Sequence, residues 1–131
     1  MTPSPYSEAT QRRFEMAAHA GELTGPGVGR GAAGSPTAGT WVQFDVQLGP
    51  GDPAARRIEA ARFRAYGCPH TIAAADWICE TAAGSPAGPG LPESLASLRE
   101  RFAVPIPKMG RLLIIEDAWA AALAAARNLA A

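Results

Sequence analysis

The stretch FRAYGCPHTIAAAD, Phe63–Asp76, changes period in the middle, and that change decides the fold class. Phe63 and Ala65 alternate with Arg64, the two-residue repeat of a half-buried strand. Gly67 ends the run. Pro69 then stands where a helix begins, because its missing N–H costs nothing in a first turn. Ile72, Ala75, Cys79 and Ala82 follow at helical spacing and predict one apolar stripe, with Gly84 as the C-cap. A strand therefore runs directly into a helix, and Cys68 sits at the junction.

Working outward, TWVQFDVQL (40–48) alternates Val42, Phe44, Val46 and Leu48 with polar residues, and GPGDP (49–53) is a turn. RIEAARFRAY (57–66) alternates again. The two runs predict an antiparallel hairpin with one wet face. Upstream, the segment Gly21–Thr40 is too rich in glycine and proline for a helix and reads as a loop or a loosely paired edge strand. Before it, Ser7 caps a helix whose buried stripe is Phe14 and the alanines. Downstream come a loop (85–92), a short helix (93–102) with Leu95, Leu98 and Phe102 inward, and the proline-punctuated VPIPK (104–108). The longest helix (111–129) closes the chain, with Leu112, Ile115, Trp119 and Leu123 as its stripe. Grouped strands and grouped helices predict an α+β fold: a small antiparallel sheet of two or three strands covered on one face by four helices. The 131 residues suffice for a single domain, 1–131, with residues 1–4 as a disordered tail.

Twelve basic residues balance twelve acidic ones, so no strong field draws in nucleic acid or an anionic membrane. No apolar run is long enough to cross a bilayer. MTPSPYSEAT lacks the basic and apolar regions of a secretory signal and the arginines of a transit peptide. The expected location is the cytoplasm, where thiols stay reduced.

Backbone N–H groups at a helix N-terminus favour a thiolate at Cys68, and Gly67 lets the chain turn sharply before it. A small buried residue at a tight junction is the plainer alternative. Cys79 lies about 16 Å further along the helix, too far for a disulfide or a shared ion, and its place on the apolar stripe makes it core. His70, two residues from Cys68, could contribute to a metal site, or else stands as a solvated neighbour of the cap. His19 receives no role.

PYSEATQRRFE, GSPTAGTWVQFDV, FRAYGCPHTIAAAD, VPIPKMGRLL and IIEDAWAAAL together resemble IscU/NifU-type iron–sulfur cluster scaffold proteins, in the same order and spacing from Tyr6 to about Ala126. The resemblance implies a small antiparallel sheet covered by helices. It also implies a [2Fe–2S] cluster, or iron or zinc, as the family's cargo, with sulfur delivered by a cysteine desulfurase. It implies a ligand set as well: a cysteine and an aspartate in Cys-Gly-Asp, a second cysteine, and a His-Cys pair. Here the first motif is Ala38-Gly39-Thr40 and the pair is Gly110-Arg111, leaving Cys68 as the sole retained ligand.

A [2Fe–2S] cluster takes four protein ligands, and a structural zinc site also takes four. Alanine and glycine offer none, and arginine offers a cation. No cofactor is therefore expected in the monomer. If the fold is kept, Arg111 lies near Cys68, where metal charge would otherwise sit; the alternative places it in solvent. The segment Val104, Pro105, Ile106, Pro107, Lys108 resembles the proline-containing segment that these scaffolds offer to an Hsp70-type chaperone, or else is a rigid linker. The expected function is an accessory or regulatory member of iron–sulfur assembly, not an enzyme. Its expected partners are a desulfurase, a chaperone or a true scaffold subunit. The alternatives are a repurposed interaction domain unrelated to sulfur and a persulfide carrier acting through Cys68.

Overall fold

Val42, Phe44, Val46 and Leu48 all turn to one side of the central strand, where each is almost wholly removed from water. The computed structural model, which describes residues 6–51, 56–88 and 90–129, builds outward from that row. The element order is α1 (Glu8–Met16), β1 (Val28–Ser35), β2 (Thr40–Leu48), β3 (Ile58–Tyr66), α2 (Pro69–Ala82), α3 (Leu95–Arg101), a single 3-10 turn (Ile106–Lys108) and α4 (Met109–Leu129). The sheet is antiparallel throughout, in the order β1-β2-β3. The expected tail at residues 1–4 and the end of the expected turn at 49–53 lie outside the described residues.

The glycine-rich stretch before Thr40 resolves into a strand. All eight residues of β1 pair with β2, from Val28 opposite Gln47 to Ser35 opposite Thr40. Its glycines are there for α4. A Cβ on Gly29 would lie 2.2 Å from the Ala126 backbone nitrogen, and one on Gly31 would lie 2.2 Å from that of Ala122. Both glycines are buried. The alanine-rich helix and the glycine strand thus meet backbone to backbone, an approach that any larger residue at 29 or 31 would prevent. Leu112, Ile115, Trp119 and Leu123 fill the space over β2, with Trp119 edge-on to Phe44 at a ring-centre distance of 5.0 Å.

α2 and α4 make the main helical contacts with the sheet, while α1 packs chiefly on α2 and α3 on α4. The apolar stripe expected of α1 is not its anchor: Phe14 is half-buried, and the fully buried residue is Thr10. The Thr10 hydroxyl donates to the Phe102 carbonyl at 2.7 Å, and Arg13 pairs with Asp76 at 2.7 Å. This helix docks through polar contacts because its partner surface on α2 carries a buried carboxylate.

The wet outer face of the hairpin is also wet only in part. After α1 the chain adds to the edge of β3, where Gly21 N–H donates to the Phe63 carbonyl and Phe63 N–H to that of His19. It then crosses the outer face to reach β1. Asp45, on that face, is 1% exposed. It accepts from the Leu23 N–H at 2.9 Å and from Arg30 Nε at 2.8 Å, and so ties the crossing segment down. Glu22 bridges Arg30 and Arg64 above it. At its other end the free edge of β3 is covered by residues 84–87, which closes a strand edge to foreign pairing. No described helix is long and apolar enough to cross a membrane.

Candidate functional site

Cys68 is the N-cap of α2, with extended backbone at φ −80° and ψ 169°, and is half-buried. β3 ends two residues earlier and aims the chain across the end of the sheet. Gly67 approaches the Thr71 side chain, which leaves only about 3.2 Å for a Cβ there. Around the sulfur stand the Thr71 hydroxyl at 3.7 Å and His70 Nδ1 at 3.8 Å. The decisive neighbour comes from α4: Arg111 Nη1 donates to Cys68 Sγ at 2.9 Å.

These contacts set the charge state. Burial pushes the Cys68 thiol up. The backbone N–H and hydroxyl of Thr71, the N–H of His70 and the Arg111 guanidinium more than offset it, leaving the thiol below its ordinary value. His70 is 3% exposed. Burial, with Lys108 and Arg111 nearby, holds its pKa below the usual imidazole value, so it is neutral at pH 7. The cluster is a low-lying thiol facing one guanidinium beside an uncharged imidazole.

Of the sequence-predicted residues, the structure brings Cys68, His70 and Arg111 together. Ala38 is exposed in the β1–β2 turn, where its N–H donates to the Ser35 carbonyl. Thr40 is buried at the start of β2, and Trp41 beside it faces Tyr66 at the end of β3. The two thus stand at the same end of the sheet as Cys68, but neither supplies a thiolate or carboxylate. Gly110 is exposed, and a Cβ there would meet nothing within 4 Å. Cys79 is fully buried in the core, where burial pushes its thiol up. Val104 is buried, Pro105, Ile106 and Pro107 are exposed, and Lys108 is half-buried. Pro105 is extended and the next three residues form the 3-10 turn that starts α4, so the segment is a shoulder and not an extended arm.

Sequence reasoning missed two residues. The Tyr6 ring meets His70 edge-on at 4.7 Å, and Lys108 Nζ lies 5.3 Å from its centre. Thr71 lends its hydroxyl to the sulfur. Thr71 had a signal in its place in the first turn of α2; Tyr6 had none, because its contact spans most of the first seventy residues.

Among the described residues no three His, Cys, Asp or Glu side chains converge to hold a metal ion. The donor set does not fit a cluster or a tetrahedral ion either. One thiolate and one imidazole are two ligands where four are needed. Arg111, hydrogen-bonded to the sulfur, is a cation that cannot ligate.

The fold and site together define a scaffold-type α+β domain built around one cysteine at a strand-to-helix junction. The model of the NifU-like N terminal domain family matches residues 5–125, so the chain belongs to that family. A curated relative, the bifunctional protein NifU/MnmA of Rubrobacter xylanophilus, is 32% identical over 105 residues. That match covers 80% of this chain but 20% of the relative, so the chain spans about a fifth of that protein's length. Among solved structures, a candidate iron–sulfur cluster assembly scaffold protein for the SUF system from Fervidobacterium islandicum AW-1 superposes with a TM-score of 0.60. The alignment covers 92% of this chain and 96% of that one at 12% identity, a likeness of fold.

Proposed function

We propose that this member of the iron–sulfur scaffold family serves cluster assembly as an accessory or regulatory protein and does not hold a [2Fe–2S] cluster on a single chain. The observation that carries the reading is the 2.9 Å contact between Arg111 Nη1 and Cys68 Sγ. It commits the one accessible thiol of the site to an internal cation. Family kinship fixes the fold, whereas function follows the site, and this site lacks cargo ligands while keeping a shoulder that a partner can reach. Pro105, Ile106 and Pro107 are exposed, and Val104 beneath them is anchored in the core. A cysteine desulfurase, an Hsp70-type chaperone or a competent scaffold subunit is the class of partner this reading assigns. The protein acts in the cytoplasm and without catalysis of its own.

The test adds the purified chain to a desulfurase-driven assembly reaction on a competent scaffold and follows cluster absorbance. The chain changes the rate at equimolar amounts, and Ile106→Asp, an exposed substitution, removes the effect. No change in rate at any ratio overturns the accessory role and leaves an interaction domain outside sulfur chemistry.

The half-exposed, low-lying thiol of Cys68 favours one second reading, a persulfide carrier. Its thiolate attacks the terminal sulfur of a desulfurase persulfide, the S–S bond breaks, and the desulfurase leaves as its thiolate. Intact mass after exposure to desulfurase and cysteine shows one added sulfur in the parent and none in Cys68→Ser. An unchanged parent mass removes this reading.

A further inference from the structure

The sheet closes one of its edges and leaves the other open. β3 is covered by residues 19–21 and 84–87. β1, at the opposite edge, has no such cover. Among the described residues its backbone bonds to β2 along its length, and elsewhere only at its ends. There the Val28 N–H donates to the Gly25 carbonyl, and the Ser35 carbonyl accepts from the Ala38 N–H. The outward N–H and C=O groups between them form a template for another strand. The usual deterrents are missing as well. VGRGAAGS has no proline and no lysine, and its register with β2 runs unshifted over all eight residues. Its single charge, Arg30, is turned to the outer face and held by Asp45 and Glu22.

The helix layer beside this edge is equally bare. Ile114 and Ala121 border β1 from α4. A Cβ on Gly34 would lie 3.0 Å from Ile114 Cγ2, and one on Gly31 would lie 2.7 Å from Ala121 Cβ. Ala125 and Leu129 continue that flank at helical spacing. Ala121 is exposed, Leu129 is 56% exposed, and none of the four is charged. Two features select the occupant. A glycine–alanine strand offers no pockets for the alternate side chains that give an added peptide its specificity. A surface without net charge, by contrast, does not repel its own copy. We infer that β1 pairs antiparallel with β1 of a second copy of this chain, joining two three-stranded sheets into one and bringing the two α4 flanks together. The eight residues of β1 supply about eight backbone hydrogen bonds to the second copy. A twofold axis through the middle of β1 passes near Ala121, which stands beside Gly31. Ser35 pairs with Thr40 and Trp41 with Tyr66, at the Cys68 end of the sheet. Antiparallel pairing therefore sends the two Cys68 sites to opposite ends of the joined sheet. The contact completes no metal site and is independent of the cluster-assembly reading.

Sedimentation equilibrium from about 1 μM to about 500 μM, the range of a weak interface, follows the 13.6 kDa chain to twice that mass and no further. In the same range hydrogen exchange slows with concentration at β1 amides and stays constant at β3 amides. Ala121→Glu sets like charges at the axis and weakens dimerisation by at least about tenfold; Ala121→Lys does the same. Ala120→Glu, on an exposed position turned about 100° further from β1, leaves dimerisation unchanged. An equal mixture of the Ala121→Glu and Ala121→Lys proteins dimerises again, because a twofold contact sets the opposite charges side by side. Urea midpoints close to that of the parent show that each variant is folded. A parent that stays at 13.6 kDa throughout overturns the proposal, whether the edge is idle or takes a foreign strand. So does a dimer that both charges leave intact, a charge pair that fails to restore it, or a mass that climbs past the dimer.

Discussion

Replacing Gly31 by alanine tests the contact on which the whole sheet-to-helix layer rests. The added methyl carbon would stand 2.2 Å from the Ala122 nitrogen and 2.5 Å from the Ala121 carbonyl carbon. Both are backbone atoms of a packed helix, so no side chain can swing away. α4 must lift from β1 by about 1.5 Å, the difference between 2.2 Å and ordinary van der Waals contact. Overpacking of this kind costs about 1–3 kcal/mol. Alanine recovers about 0.4–1 kcal/mol by restricting the unfolded chain, so the net loss is about 1–2 kcal/mol. For a domain of this length that lowers Tm by roughly 4–10 °C. Thermal and urea unfolding measure it, with Gly27→Ala as the control, since a Cβ on Gly27 meets nothing within 4 Å. A Gly31→Ala protein as stable as the parent refutes the backbone-to-backbone packing of β1 on α4.

Further outcomes follow from the same geometry. Gly110→Ala stabilises by up to about 1 kcal/mol, because a glycine in the first turn of α4 gains helix propensity into open space; a urea midpoint below that of the parent contradicts it. Thr10→Val leaves the Phe102 carbonyl without its 2.7 Å donor and lowers stability by about 1–3 kcal/mol, with the α1 amides losing hydrogen-exchange protection first. Arg111→Ala raises the Cys68 thiol pKa and slows its alkylation below that value, as followed by iodoacetamide rate against pH; identical profiles end the pairing. The Cys68 pKa is lower folded than unfolded, so its contribution to stability is complete above the unfolded thiol pKa and disappears as pH falls through the folded one. Arg111→Ala reduces that gain with pH.

The strands and helices that carry a clean period were legible in the sequence. Val42, Phe44, Val46 and Leu48 on β2, and Leu112, Ile115, Trp119 and Leu123 on α4, are buried as their spacing predicts. β1 was legible only as an alternative to a loop. Its inward positions are Gly29, Gly31 and Ala33, and hydrophobic periodicity is silent where the packing partner is another backbone. Asp45 read as a wet residue because alternation puts it on the outer face. Its burial comes from the segment crossing that face, a contact made across 22 residues. At the site, the thiol and its helix end are local and readable. The approach of Arg111 spans 43 residues and has no local signal; it could be raised only through the family resemblance.

Iron and sulfide counted per chain test most directly whether the monomer holds a cluster. The protein is reconstituted anaerobically with ferrous iron and sulfide, and the monomer is isolated by size exclusion. That fraction should be colourless and carry neither element in stoichiometric amount. A monomer retaining two irons, two sulfides and a visible absorption band would show that Arg111 yields the sulfur to a cluster.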